Sequence, residues 1–253
     1  MEKLLDNYPN FFIIGGQKCG TSAACANLNQ HPEIFMITNK NKPDMGDGFP
    51  LAELHIFNDE ERYARGIDFC LDHFKECGNA RIVGEKTPDY LYHEKVSHRI
   101  KHSFPNSRFL VMLRDPVTRA FSAWNHIQDQ KGGWFGKDAV GVPFEKVLNE
   151  NLEPSILKWG KYVQYIRPWL KVFPKWMFKF VVMEDILKDM SGEYNKIFEW
   201  LAVQPFEYKF QNLHSRHYTE TLKEDTRIAL AKYYKPWNKQ LFKEIGYDIP
   251  AWN

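Results

Sequence analysis

Short apolar runs alternate along this chain with longer stretches in which apolar residues recur at helical spacing. The runs that predict strands are FFIIG at 11–15, ARIVGE at 80–85, RFLVMLR at 108–114 and FKFVVM at 178–183. The helical patterns cover 21–30, 94–103, 117–131, 155–173, 193–202 and 222–245. Because the strand runs are almost continuously apolar, both faces of each strand should be covered. The alternation predicts an α/β fold, a three-layer sandwich around a central, mostly parallel sheet.

The 253 residues contain 43% hydrophobic and 26% charged side chains, which suits one domain over 1–253 with a sizeable core. Two polar stretches rich in Gly and Pro, 38–52 and 131–143, interrupt the regular pattern and predict loops. Both follow elements that should end near the same edge of the sheet. They are therefore candidate walls of a cleft.

The net charge is only +2, so no overall field favours nucleic acid or an anionic membrane as a partner. No apolar run approaches the roughly 20 residues of a membrane span, and the N-terminus lacks the features of a signal peptide. These patterns predict a cytoplasmic protein, unless the chain is an excised catalytic domain. They give no indication of the oligomeric state.

The four cysteines, Cys19, Cys25, Cys70 and Cys77, lack the spacing of a zinc site. A disulfide between Cys70 and Cys77 is conceivable on adjacent turns, but reduced thiols fit the predicted compartment better. We therefore expect no metal site built on these residues.

The segment GGQKCGTS at 15–22 joins the first strand to the first helix. Glycines let a ligand approach the backbone, the helix N-terminus presents free N–H groups, and Lys18 adds a full positive charge. This combination favours phosphate binding, although an ordinary turn with a surface lysine has the same outline. The Walker A order is absent, because Lys18 precedes the last loop glycine, Gly20, instead of following it.

Three further clusters carry candidate chemistry. Arg114 ends a buried strand, where open α/β sheets bind ligands, and with Ser122 it could hold a second phosphate. Lys86 also ends a strand, in GEKTP, and could point into the same cleft. Glu53 and His55 share a face of an extended segment, as a base and its orienting partner would. Taken singly, a capped helix with a paired arginine, a turn lysine and a chance Glu-x-His pair explain these residues as well.

In combination, the motifs resemble the sulfotransferases that use 3′-phosphoadenosine 5′-phosphosulfate (PAPS), in particular the heparan-sulfate-type branch. GGQKCGTS is similar to the 5′-phosphosulfate loop of that family, and ELHIF to its E-x-H-x-F segment. GEKTPDYLY is similar to E-K-T-P-x-Y, and LRDPVTRAFSAW to the 3′-phosphate segment. The order of the motifs also agrees, and the resemblance extends over nearly the whole chain.

The resemblance implies a role for each matched residue. Glu53 would take the proton from the acceptor, while Lys18, His55 and Lys86 line the transferring group. Arg216 would belong to a basic loop over the cofactor. The implied contacts to PAPS, or to its product adenosine 3′,5′-bisphosphate (PAP), are Gln17, Lys18, Cys19, Gly20, Thr21, Ser22, Arg114, Ser122 and Arg216. The resemblance implies no metal.

The near-neutral charge favours a small polar acceptor over a polyanion, such as a natural product or a toxin with a hydroxyl or amine. Asp44 and Asp47, close to Glu53, would suit a cationic acceptor, although they also suit a solvated loop. A heparan-type oligosaccharide is the alternative acceptor. A P-loop small-molecule kinase or a non-catalytic nucleotide-binding protein is the alternative class. The kinase should have a lysine directly after the last loop glycine and acidic Mg²⁺ ligands, which the sequence does not show at the matching places.

Overall fold

A sheet of five parallel strands organises the part of the chain that this computed structural model describes, residues 8–38, 53–129, 136–207, 209 and 220–252. The strands are β1 (Phe11–Gly15), β2 (Ile34–Met36), β3 (Ile82–Lys86), β4 (Arg108–Leu113) and β5 (Phe178–Val182). Their order is β2-β3-β1-β4-β5, and every neighbouring pair is parallel. β1 therefore lies at the centre, and all five of its residues are buried.

Helices alternate with the strands along the chain. They are α1 (Thr21–Leu28), α2 (Glu60–Ala64), α3 (Gly66–Asp72), α4 (Glu94–Ser103), α5 (Pro116–Asp129), α6 (Phe144–Asn149), α7 (Ser155–Lys158), α8 (Tyr162–Val172), α9 (Met183–Lys188), α10 (Met190–Leu201) and α11 (Glu224–Ile245). Short 3₁₀ turns lie at Pro88–Tyr92, Lys137–Ala139, Lys175–Met177 and Pro250–Trp252. The predicted α/β fold with a parallel central sheet is confirmed.

The chain divides into two units, each with its own core. The first, Met1–Leu113 with Pro168–His214, contains the sheet. Phe12 of β1 packs edge-on against Phe57 and stacks on Phe109 of β4. Phe109 in turn contacts the ring of Trp169. These aromatic contacts hold β1, which leads into the loop, against β4 and against Phe57 in the segment that contains the candidate base.

The second unit, Arg114–Arg167 with Ser215–Asn253, is helical in its described part. The apolar face of α5 forms its core with Phe144, Ile156, Leu230 and Tyr234. The prediction of one domain over the whole chain stays a prediction.

The short helices α2, α3, α6 and α9 were not predicted from the sequence pattern, and two further elements differ from it. β2 was not predicted, because three residues are too few to show a period. The helix predicted over 155–173 is two helices, α7 and α8, with Gly160 between them. A β-carbon at Gly160 would lie 2.7 Å from Cε1 of Tyr234, so this backbone passes too close to that ring for any side chain.

All four cysteines have free thiols, as expected. Burial raises the pKa of Cys25 to about 12 and that of Cys70 still further, which makes both thiols inert. Within the described ranges, no helix combines the length and the apolar character that crossing a bilayer requires. The cytoplasmic location stays a prediction.

Candidate active site

The loop between β1 and α1 begins at a position that only glycine fits. Gly15 has φ +152°, and a β-carbon there would lie 2.8 Å from Cβ of Leu91 and 2.9 Å from the carbonyl oxygen of Pro88. Real side chains do not tolerate such contacts. The strand therefore ends against the 3₁₀ turn Pro88–Tyr92, and the chain leaves the sheet at this point.

The rest of the loop is bent into a shape that suits an anion. Lys18 has a left-handed backbone conformation, with φ +66°, and Gly20 is the N-cap of α1. The N–H of Cys19 donates to the carbonyl of Gly16 at 3.2 Å, and that of Gln17 to the hydroxyl of Tyr92 at 3.1 Å. The first N–H groups of a helix have no intrahelical acceptor, and Gly20 brings no side chain to cap them. An anion is the partner that such a helix N-terminus favours.

Glu53, His55 and Lys86 lie together in the structure. The ammonium group of Lys86 donates to Oε1 of Glu53, and Nε2 of His55 lies 3.4 Å from Oε2. Lys86 is the last residue of β3 and its side chain is only 2% exposed, whereas Glu53 is 30% exposed. Each oxygen of the Glu53 carboxylate therefore faces a separate cationic or N–H partner.

These contacts determine the pKa values of Glu53 and His55. Burial by itself raises the pKa of Glu53, but the charge of Lys86 and the hydrogen bond from His55 outweigh it and lower the pKa to about 2. Burial lowers the pKa of His55, but the neighbouring Glu53 carboxylate reverses that effect and leaves it raised. In this arrangement Glu53 is fully ionised at neutral pH, and its affinity for a proton is low.

The side-chain amide of Asn58 orients the imidazole of His55. Nδ2 of Asn58 donates to Nδ1 of His55 at 3.2 Å and to the carboxylate of Asp89 at 2.9 Å. Because an amide N–H can only donate, Nδ1 of His55 accepts, and the ring proton of the neutral imidazole lies on Nε2, on the side of Glu53. Asn58 and Asp89 were not predicted from the sequence. A polar residue three positions after His55 was the available signal.

The β1–α1 loop and the cluster of Glu53, His55 and Lys86 lie at the same edge of the sheet. β1 and β3 are adjacent parallel strands, with Ile13 paired to Lys86, so the carboxyl ends of both meet at one edge of the sheet. Cys25, on the helix after the loop, is close enough to Lys86 and Glu53 for both charges to affect its thiol. The predicted phosphosulfate loop and the predicted base thus share one edge of the sheet.

Arg114 and Ser122 belong to the second unit. Arg114 directly follows β4, and its Nε donates to the hydroxyl of Thr118 at 3.2 Å. Asp115 caps α5, since its carboxylate accepts the N–H groups of Val117 and Thr118 at 3.1 and 3.3 Å. Ser122 is buried on the same helix. The phosphate role of Arg114 and Ser122 stays a prediction.

Three of the residues named from the sequence, Arg216, Asp44 and Asp47, lie outside the described residues. Most of the predicted loop 38–52, namely residues 39–52, also lies outside the described residues. So do residues 130–135, which include the first part of the predicted loop 131–143. Among the residues that are described, no group of three or more His, Cys, Asp or Glu side chains is arranged to hold a metal ion.

Residues 8–241 match the family of the sulfotransferase domain. The chain belongs to the sulfotransferase family. The match includes the loop after β1, the Glu53 cluster and the Arg114 segment. The family resemblance read from the motifs is confirmed.

Curated relatives and a solved structure agree with this assignment. Mouse bifunctional heparan sulfate N-deacetylase/N-sulfotransferase 3 is 25% identical over 99% of this sulfotransferase chain, and the match spans 32% of that protein. Mouse heparan sulfate glucosamine 3-O-sulfotransferase 5 is 26% identical over 81% of the chain and 56% of its own length. The chain thus spans about a third to about a half of these relatives. A sulfotransferase from Alicyclobacillus acidocaldarius is 26% identical, with a TM-score of 0.73 over 96% of this chain and 98% of that one.

Proposed function

We propose that this sulfotransferase moves a sulfuryl group from PAPS to a hydroxyl or amine of its acceptor, with Glu53 as general base. The observation that carries the proposal is the Glu53 carboxylate, held by Lys86 and His55 at the edge of the sheet where the β1–α1 loop begins. A base and an anion-binding loop at one edge are what in-line transfer from a phosphosulfate requires.

The residues of the loop fit the phosphosulfate group. Lys18 and the uncapped N-terminus of α1 supply positive potential, and Thr21 and Ser22 supply hydroxyls in the first turn. PAPS itself contributes the sulfuryl group and a phosphate leaving group. Arg114 and Ser122 are the proposed ligands of its 3′-phosphate, and Arg216 is the proposed contact from the late basic loop. Gln17 and Cys19 lie in the same loop and are further proposed contacts to PAPS.

The geometry also indicates how the base becomes active. While Lys86 donates to Oε1 and His55 faces Oε2, the pKa of Glu53 stays at about 2 and the carboxylate is a weak base. Movement of the Lys86 ammonium towards a bound anion would release Oε1 and raise the pKa of Glu53. Lys86 would then neutralise charge at the transferring group, as Lys18 does at the leaving phosphate, and Glu53 would take the proton of the acceptor.

Nucleotide binding tests the cofactor and separates this proposal from a P-loop kinase. PAP should raise the melting temperature without any metal, because a ligand at 100 times its Kd stabilises the folded state by about 2.7 kcal/mol. ATP with Mg²⁺ should have a much smaller effect. A protein that responds to ATP with Mg²⁺ and ignores PAP would refute the proposal.

Glu53→Gln tests the base. The substitution keeps the size of the side chain and removes the site for the proton, so turnover should fall by at least about tenfold while PAP affinity changes little. Glu61→Gln, at an exposed position of α2, is the matched control and should behave like the wild type. Wild-type turnover in Glu53→Gln would show that another group takes the proton.

Two acceptor classes follow from different observations. The net charge of +2 supports a small polar acceptor, since a polyanion would favour a strongly basic surface. The names of the curated relatives support a heparan-type oligosaccharide, with transfer to either nitrogen or oxygen. Competition distinguishes them: if the acceptor is a small molecule, an excess of heparan-type oligosaccharide should leave its sulfation unchanged.

A further inference from the structure

A second carboxylate, Glu85, lies buried beside the proposed base. It precedes Lys86 in β3 and is 1% exposed. The hydroxyl of Tyr90 donates to its Oε1 at 2.8 Å, and that of Thr87 to its Oε2 at 2.8 Å. The backbone N–H of Leu54 donates to the same carboxylate. Glu85 thus collects three donors, one of which comes from the peptide between Glu53 and His55.

The two hydroxyls extend these contacts further into the base segment, residues 53–57. The N–H of His55 donates to Oγ1 of Thr87 at 3.5 Å, and the N–H of Phe57 donates to the hydroxyl of Tyr90 at 3.4 Å. Together with the direct bond from Leu54, three of the five backbone N–H groups of this segment end on Glu85 or on a hydroxyl that Glu85 orients.

The base segment needs such an anchor. Residues 53–55 have no regular secondary structure, and a turn follows at 56–58. His55 has φ +51°, a conformation that costs free energy for a residue with a side chain. A strained backbone persists only where its surroundings hold it, and the contacts to Thr87, Tyr90 and Glu85 do so here.

Packing alone does not account for a carboxyl group at this place. Burial raises the pKa of Glu85 to about 7, although the hydroxyls of Tyr90 and Thr87 partly oppose that effect. An apolar side chain would avoid the cost of burying the carboxyl group. The cost is offset when the group performs a task that an apolar residue cannot perform.

We propose that Glu85 is a positioning residue, which fixes the backbone of residues 53–57 and thereby sets the carboxylate of Glu53 against His55 and Lys86. The proposal rests on the proposed function only in taking Glu53 as the base. Neither the family assignment nor the motif roles given above assign Glu85 a task. Its influence on the reaction passes through the backbone of Leu54 and the two hydroxyls.

Glu85→Gln is the direct test. The amide replaces one acceptor oxygen by a donor, so one of the bonds from Thr87, Tyr90 or Leu54 is lost while the size of the side chain is kept. Displacement of reacting groups by about 1 Å costs up to about 100-fold in rate, and we expect kcat to fall by at least about tenfold. PAP affinity should change by less than about twofold, since the β1–α1 loop is untouched.

The pKa of His55, followed by NMR titration without ligand, gives a readout that needs no turnover. In the wild type the Glu53 carboxylate raises this pKa. In Glu85→Gln it should fall towards the ordinary value for two reasons: the charge of Glu85, which also raises the His55 pKa, is removed, and Oε2 of Glu53 moves away from the imidazole. The Thr87 variants below keep the charge of Glu85 and therefore isolate the second cause. The spectrum of His55→Gln assigns the signal. Glu60→Gln is the matched control, since Glu60 is 61% exposed and pairs with Lys95 and Arg99.

A second pair of variants keeps the test decisive if Glu85→Gln does not fold. Thr87→Val removes the hydroxyl with little change of shape, whereas Thr87→Ser keeps it. Thr87→Val should lower the pKa of His55 and kcat, and Thr87→Ser should stay closer to the wild type. An unchanged His55 pKa in folded Glu85→Gln, or equal effects of the two Thr87 variants, would overturn the proposal. Failure of PAP to bind the wild type would instead reject the proposed function and leave the His55 result standing.

Discussion

Lys86→Met removes the charge from the contact on which the proposed base depends. Lys86 is 2% exposed and donates to Glu53, and methionine fills nearly the same volume without the ammonium group. The pKa of Glu53 lies at about 2, where its ordinary value is 4.5. One pH unit corresponds to about 1.4 kcal/mol, so its surroundings favour the carboxylate by about 3 kcal/mol, with Lys86 the larger contributor.

Without Lys86, burial remains and His55 is the main partner left. The pKa of Glu53 should therefore return to about 4.5 or higher. The free energy of unfolding at pH 7 should fall by about 2 kcal/mol, less than the full value because Glu53 is 30% exposed and water screens part of the interaction. A titration of isotope-labelled glutamate carboxyl groups by NMR, assigned with Glu53→Gln, measures the first quantity. Urea unfolding measures the second.

Lys95→Met is the matched control. Lys95 also pairs with a glutamate, Glu60, but the two side chains are 54% and 61% exposed. Exposed pairs of this kind contribute about 0–1 kcal/mol. A pKa of Glu53 that stays near 2 in Lys86→Met, or a loss of stability no larger than in Lys95→Met, would refute the reasoning.

Three further predictions concern the loop, the second phosphate and acid stability. Gly15→Ala should lower the free energy of unfolding, measured in urea, by about 2–4 kcal/mol, because its β-carbon would meet Leu91 at 2.8 Å. Gly66→Ala is the control: φ is +84° there and nothing lies within 4 Å, so the loss should be only about 1–2 kcal/mol. Equal losses would contradict the contact argument. Arg114→Ala should weaken PAP binding by about 1.5–3 kcal/mol in calorimetry, and unchanged affinity would remove Arg114 from the phosphate site. The pKa of Glu53 is depressed in the folded protein, so its contribution to stability is complete above pH 4.5 and is lost as the pH falls towards 2. Glu53→Gln should therefore reduce the pH dependence of the free energy of unfolding between pH 4.5 and 2. An unchanged pH dependence would contradict the assignment.

The sequence predicted the sheet well because its parallel strands are buried on both faces. β1, β3, β4 and β5 are short apolar runs, and such runs are visible without any tertiary information. β2 consists of three residues, held by pairing to β3. That pairing depends on the packing of distant segments, and no local period indicates it.

The candidate site was predicted as a set of residues, but its internal contacts were not. The spacing of Glu53 and His55 suggested that they share a face, and both do face one another. That Lys86 would donate to Glu53, or that Asn58 would orient His55, depends on how residues 53–58 lie against β3. Glu85 was overlooked because a charged residue at the end of an apolar strand usually marks the strand terminus, whereas here the carboxyl group is buried.

Transfer itself is the most direct test of the central claim. The purified protein would be incubated with PAPS and a mixed panel of acceptors, containing heparan-type oligosaccharides, phenols, steroids and small amino or guanidinium metabolites, and the products analysed by mass spectrometry. The account predicts one acceptor heavier by a single SO₃ group, formed by the wild type and strongly reduced in Glu53→Gln. Equal product from both proteins would contradict the role of Glu53, and a protein that binds neither PAPS nor PAP would contradict the account as a whole.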